Sequence, residues 1–387
     1  MGTRGAAIVV CALAMTMIAG AGSAEDGVED DRIVFGQSAA LSGPAAELGL
    51  EMRRGIMAAF AEANATGGVE GRRIDLVARD DRYEPEAAID NTTALIRQDK
   101  VFALIGEVGT PTSAAAEPIA RSAGVPFIAP FTGAEFLRDP RLRDVVNIRA
   151  SYFEETETIV DRLVADRGVR RIAVLYQDDS YGRSGLAGVN QALARRDMKL
   201  VAAGTYVRNT TAVKTALLGI RGGNPEAIIV IGAYLPSAVF TQWARKLGLD
   251  AVIVNISFVG ANALAEALGP AGEGVYVTQV VPFPTGDEMP LLSDYRRALA
   301  AFDAGALPGF GSLEGYIAGR LTVEVLRGLG PSPTRAGFLA ALAVRGTFDI
   351  GGFLLRYGPS DNRGSDQVFL TMIRRNGQIE PVGSLAP

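Results

Sequence analysis

"FALIGEVGTPTSAAAEPIARSAGVPFIAPFTG", residues Phe102–Gly133, reads as a buried strand, a turn, a helix and a second buried strand. The first apolar run is short and ends in Gly-Glu-Val-Gly, the helix opens on Thr110-Pro111, and the next apolar run follows Ser-Ala-Gly. A short apolar strand leading through a polar turn into a helix and out to another such strand is a βαβ unit, and βαβ units make parallel sheets covered on both faces. The Gly-Thr-Pro-Thr turn offers backbone N–H groups and hydroxyls but no group able to act alone as acid, base or nucleophile. Two roles are open to Thr110: capping its own helix, or helping the first helical turn and its dipole to hold an anion such as a carboxylate.

The same alternation runs outward from this stretch. Before it come "RIVFGQSAAL", a helix from about 45 to 64 stopped by "TGG", "RRIDLVARDD" and a helix through "PEAAIDNTTALIRQD". The pattern pauses at "VVNIRASYFEE" and restarts with "RRIAVLYQDD", a helix over 185–196, "KLVAAGTYV", a helix over 213–221, "AIIVIGAY", a further helix and "AVIVNISF". Helices near 289–303 and 312–328 and a closing strand-and-hairpin region complete the chain. Two successive series of similar size predict two doubly wound α/β lobes, with ligand groups on the loops beyond the carboxyl ends of the strands.

Composition narrows the chemistry. A chain of 387 residues is long for one core, and 48% hydrophobic with 21% charged residues is globular. Thirty-eight Lys and Arg against 43 Asp and Glu give a net charge of −5, with no basic run to suit nucleic acid. Histidine is absent and the one cysteine is Cys11. A Ser-His triad, a cysteine nucleophile in a mature chain and the usual zinc sites are therefore excluded, and no metal or other cofactor is expected. There is no Walker loop and no G-x-G-x-x-G after the first strand. The pair Asp178-Asp179 reads as a solvated loop. Arg4, an apolar run over 6–19 and Ala21-Gly22-Ser23-Ala24 have the form of a secretory signal peptide, residues 1–24, which predicts export to the periplasm.

Several segments in order resemble the solute-binding proteins of branched-chain amino acid ABC importers, a type I periplasmic-binding family. They are "LSGPAAELGLEMRRGIMAAFAEANATGGVEGRRIDLVARDD", "ALIGEVGTPTSAAAEPIARSAGVPFIAPFTGAEFLR", "RIAVLYQDDSYGRSGLAGV" and "AIIVIGAYLPSAVFTQWARKLGL". The resemblance implies two lobes joined by three crossovers, near 148–151, 278–282 and 346–350. One lobe would comprise 32–149 plus 280–347 and the other 150–279 plus 348–387. It further implies a monomeric carrier, not an enzyme, that closes around a small carboxylate-bearing molecule and delivers it to a membrane permease. Thr110 with Phe131, Thr132 and Gly133 would hold the carboxylate; Tyr181 and Tyr234 would close from the second lobe, and Leu48 would touch the ligand side chain. Where amino-acid-binding members carry an acid for the α-ammonium, this chain has Ser257. A buried ammonium left without its partner typically costs about 3–5 kcal/mol. The ligand is therefore expected to lack an amine, or else Glu107 or Glu314 supplies the charge. A ligand sensor of the same fold, an exported α/β enzyme restricted to carboxylate or lysine chemistry, and an exported structural protein are the alternatives.

Overall fold

The structure is a computed structural model that describes Gly2 and residues 25–386; the signal peptide expected at 1–24 lies outside the described residues, apart from Gly2. The first series runs β1 (Arg32–Ala39), α1 (Ala46–Ala65), β2 (Arg73–Asp80), α2 (Pro85–Arg97), β3 (Ala103–Ile105), α3 (Thr110–Ser122), β4 (Phe127–Ile128) and β5 (Val145–Val146). Its strands form one parallel sheet in the order β2-β1-β3-β4-β5. The central run Ala103–Ile105 is buried throughout, as expected for a strand with helices on both faces.

The second series runs α4 (Tyr152–Arg167), β6 (Ile172–Gln177), α5 (Ser180–Ala194), β7 (Ala202–Tyr206), α6 (Lys214–Gly222), β8 (Ala227–Ile231), α7 (Tyr234–Lys246), β9 (Val252–Asn255), α8 (Ala261–Leu268) and β10 (Val275–Gln279). Then come α9 (Pro290–Phe302), α10 (Phe310–Arg327), α11 (Arg335–Arg345), β11 (Thr347–Ile350), β12 (Phe353–Gly358), β13 (Asp361–Gly364), β14 (Phe369–Ile373) and β15 (Ile379–Pro381). The second sheet has the order β15-β14-β10-β9-β8-β6-β7, with β14 antiparallel to β10. Long α10 returns to the first lobe and packs along α1, where small residues let the backbones approach: a Cβ on Gly315 would lie 2.2 Å from the Met52 carbonyl oxygen.

Three details depart from the sequence expectations. The helix expected from 185 begins at Ser180, because the Asp179 carboxylate caps it by accepting from the N–H groups of Tyr181 and Gly182 at 3.0 and 3.4 Å. Helix α4, passed over as a pause, opens on a reciprocal capping box between Ser151 and Glu154. The third crossing lies later than 346–350. Strands β11–β13 form a separate antiparallel sheet beside the first lobe, where the Asn147 N–H donates to the Asn362 carbonyl at 2.9 Å and the Tyr357 hydroxyl donates to the Asn147 carbonyl at 2.8 Å. The chain enters the second sheet only at Phe369, so 348–364 stay with the first lobe.

Candidate functional site

The residues singled out in the sequence fall into two adjoining groups. The first is a cradle at the start of α3. Gly109, at φ 103°, is the N-cap, and Thr110 is the first helical residue where the sequence suggested a cap. Only glycine suits Gly109: its φ is left-handed, and a Cβ would meet the Tyr83 ring at 2.1 Å. Released from capping, the Thr110 hydroxyl bonds the Thr132 hydroxyl at 2.6 Å, and Thr132 also bonds the Tyr152 hydroxyl at 3.1 Å. Pro111 brings no N–H to this turn, which leaves the amides of Thr110 and Thr112 as its donors. Gly133 lets Tyr152 pack close: a Cβ there would lie 2.5 Å from that ring, and the Gly133 carbonyl accepts the Tyr152 N–H at 2.7 Å.

Second-lobe rings cover the cradle. Tyr181 lies 5.4 Å from the Tyr152 ring and 4.6 Å from that of Phe258, and Phe258 also meets Phe131 at 5.7 Å and Tyr83 at 5.9 Å. All five aromatic residues are buried. Further contacts hold the lobes together along this side. Arg208 bonds Glu84 at 2.7 Å and Asp179 at 3.1 Å, and Gln177 donates to the Tyr83 hydroxyl at 3.2 Å. Asp179 therefore serves as cap and ion-pair partner, more structured than the solvated loop read from sequence.

The second group lines a cleft of about 1110 Å³ between the lobes. Leu48, Phe131, Ser257 and Glu314 are in its wall; Thr110, Thr132, Gly133, Tyr181 and Tyr234 are not. Tyr234 stands at the first turn of α7, beside Gly260 and the Glu47 backbone, where α1 of the first lobe approaches the second. Glu107 lies away from the cleft wall. It is buried beside Asp81, and neither of its carboxyl oxygens accepts a hydrogen bond among the described residues. Burial, reinforced by Asp81, drives the Glu107 carboxyl well above the usual range, and burial raises Asp81 itself to about 6.

Behind the cleft sits a buried charge cluster whose first two members the sequence reading missed. The Arg149 guanidinium is fully buried, lies over the Phe131 ring at 5.0 Å from its centroid and donates to the Ser257 hydroxyl. Its Nη2 is 3.6 Å from Glu155 and its Nη1 is 3.4 Å from Glu314. Glu155 is saturated: it accepts from the Ser257 N–H at 2.8 Å, the Ser257 hydroxyl at 2.9 Å and the Thr278 hydroxyl at 2.5 Å. Ser257 therefore does not stand in empty space where an acid is lost; an acid from α4 lies against it. Glu314 is less well served. Its Oε1 accepts no hydrogen bond, and Nε and Nη1 of Arg149 donate none among the described residues. Burial pushes the Glu314 carboxyl up to about 7 against the pull of Arg149.

Two doubly wound lobes with a cleft between them are the architecture of a solute-binding protein. The periplasmic binding protein family matches residues 32–378, and the chain belongs to it. It is a substrate-binding protein of the Leu/Ile/Val-binding type, a class associated with ABC transporters. A Leu/Ile/Val-binding protein homolog 7 from Brucella abortus is 27% identical over 307 residues, 76% of each chain. A possible leucine/isoleucine/valine-binding protein from Rhodopirellula baltica superposes with a TM-score of 0.87 at 38% identity, covering 93% of this chain and 97% of that one. A substrate-binding periplasmic protein from Ralstonia solanacearum gives 0.84 at 31%, over 90% and 99%.

Proposed function

We propose that this protein, exported by a cleavable signal at 1–24, captures a small carboxylate-bearing solute between its lobes and hands it unchanged to an ABC permease. The observation that carries the reading is the pairing of unlike surfaces across the lobes. A first-lobe pair of hydroxyls at a helix N-terminus, Thr110 and Thr132, is met by second-lobe aromatic side chains, Tyr152, Tyr181 and Phe258. Free amides and the helix dipole favour an anion there, and movable apolar walls suit its hydrocarbon part. In this reading Leu48, Phe131 and Ser257 take the rest of the ligand in the cleft, Gly133 shapes the floor of the cradle, and Tyr234 helps to close the mouth. Domain closure then shifts the population toward a form that the permease recognises.

The test is thermal unfolding of protein first unfolded and refolded to strip carried ligand, against branched-chain and aromatic amino acids and their deaminated acids. A ligand at one hundred times its dissociation constant adds about 2.7 kcal/mol, which a melting curve resolves. The reading is lost if no carboxylate raises the melting temperature, or if a bound compound is chemically turned over.

A further inference from the structure

Resting on the capture reading for what the lobes hold, we propose that the first-lobe turn 80–84 is a proton-controlled latch: it clasps the second lobe while the buried acid Glu107 is neutral, and lets go when Glu107 ionises. The clasp is made lobe to lobe. The Arg208 guanidinium and the Asn209 amide reach from the second lobe to the Glu84 carboxylate, each at 2.7 Å. Asn209 also donates to the Arg82 carbonyl at 3.1 Å, and Gln177 donates to the Tyr83 hydroxyl at 3.2 Å. Phe258 lays its ring against that of Tyr83. None of these residues is in the cleft wall, so the clasp does not depend on touching the solute. Its first-lobe half is a turn that has to be held in shape. Arg82 and Tyr83 both stand in the left-handed backbone region, at φ 53° and 62°, which residues with side chains seldom adopt. Two carboxylates keep them there: Asp80 accepts the Arg82 N–H at 2.9 Å, and Asp81 accepts the Tyr83 N–H at 2.8 Å.

Behind the turn lies an acid that has no part in the capture. The loop 106–109 packs on Tyr83, whose ring a Cβ on Gly109 would meet at 2.1 Å, and Glu107 in that loop is only 2% exposed. Its neighbour Asp81 is fully buried and acts as an acceptor, taking the Ser38 hydroxyl at 2.8 Å as well as the Tyr83 N–H. Neither oxygen of Glu107 accepts a hydrogen bond among the described residues. A buried carboxylate is rarely left so, whereas a neutral carboxylic acid asks for far less. Burial first, and Asp81 second, hold the Glu107 proton well above the ordinary carboxyl range, against a smaller pull from the Ser38 N–H. The surroundings offer no cation to offset a charge there. Gly106 meets Gln37, Met52 and Ile56, all uncharged. The turn brings Asp80, Asp81 and Glu84, and the second lobe brings Asp179 and Arg208, with Arg208 already bound by Glu84 and Asp179. Burial keeps the hydroxyls of Tyr83 and Tyr206 protonated. Parting the lobes uncovers Tyr83 and lets water reach the two acids, so the parted form holds the Glu107 proton less tightly than the closed one. By linkage, closure is complete while Glu107 keeps its proton and weakens as pH rises through its raised pKa.

The experiment is calorimetric titration of the refolded full mature chain between pH 6.5 and pH 9, with leucine, phenylalanine, isocaproate and hydrocinnamate as probes. Small-angle X-ray scattering of the ligand-free chain over the same range reads the spread of the lobes. In the wild type the best-binding probe should weaken as pH rises, by up to about tenfold per pH unit, the limit for one linked proton. Glu107→Gln mimics the neutral acid and should escape that loss, so the ratio of variant to wild-type affinity climbs with pH. Glu107→Met should give the same result if the buried amide prevents folding. Arg208→Met loosens the clasp but spares Glu107: it should bind about tenfold more weakly at pH 6.5 and keep the pH dependence. Parallel pH profiles for the wild type and the Glu107 variants, or wild-type affinity in Arg208→Met, would overturn the latch and leave the capture reading standing. If no probe binds the wild type, the capture reading falls and the scattering decides the latch. A radius of gyration that grows with pH in the wild type alone would keep it, and coincident profiles would overturn it.

Discussion

The cradle and the inner wall of the cleft share Phe131, yet they are built from opposite materials. In the cradle every group is neutral, and its hydroxyls are bonded to one another under a cover of rings. Behind the wall, one guanidinium faces two carboxylates, and several of their polar atoms find no hydrogen bond among the described residues. Neutral groups can satisfy themselves inside a closed protein at small cost, whereas charges that are desolvated but incompletely paired keep a demand for another partner. The difference teaches where a ligand can gain most: the wall is the unfinished part.

The sharpest way to break this contrast is Arg149→Met, which keeps bulk but strands Glu155 and Glu314. Unfolding by urea should show a loss of about 3–5 kcal/mol at neutral pH. The loss should shrink toward pH 5, where Glu314, with its raised pKa, is protonated in the folded state. A loss under 1 kcal/mol would mean that the cluster is not held by its cation.

Next in size is the pH dependence contributed by Glu314. Its folded pKa, about 7, lies above the ordinary value of 4.5, so the folded state holds its proton more tightly than the unfolded chain. The corresponding stability is complete below the ordinary value and is lost as pH rises through about 7. Glu314→Gln removes this slope. Relative to the wild type, the variant should gain up to about 3 kcal/mol between pH 4 and pH 8, measured by urea titration at each pH. Parallel profiles for the two proteins would show that Glu314 titrates normally.

The smallest expected effect belongs to the cradle. Thr132→Val removes the central hydroxyl and leaves those of Thr110 and Tyr152 without it, for a loss of about 1–2 kcal/mol by the same measurement. If that loss matched the loss from Arg149→Met, the distinction between a neutral, satisfied site and a charged, unfinished one would collapse.

Much of the architecture was legible in the residues, because short apolar runs alternating with helical stretches have few packings other than covered parallel sheets. Two hydroxyls of the cradle stood at marked positions for the same reason, since Thr110 and Thr132 follow consecutive strand ends of one sheet, whereas Tyr152 comes from α4 and was not singled out. The charge cluster was not. Arg149 stands in a crossover, Glu155 on a helix of one lobe and Glu314 on a helix of the other, and no local periodicity marks residues that meet only when distant segments fold together. Helix α4 could have been found, since Ser151 and Glu154 spell a capping box. The later position of the third crossing could not. It depends on Asn362 and Tyr357 finding Asn147, and neither the turn nor the strands of that hairpin name the lobe they will join.

The antiparallel strand β14 beside β10 has a consequence for the birth of the molecule. Its Thr371 hydroxyl bonds the Val277 carbonyl across a separation of 94 residues, near the end of the described chain. The five parallel strands of the first sheet are all made by Val146, but one flank of the second sheet is bare until residues 369–381 have been synthesised. An open strand edge is a template for wrong pairing, and contacts so far apart in sequence are slow to form. The second lobe therefore keeps one flank open until residues 369–381 have been made and paired.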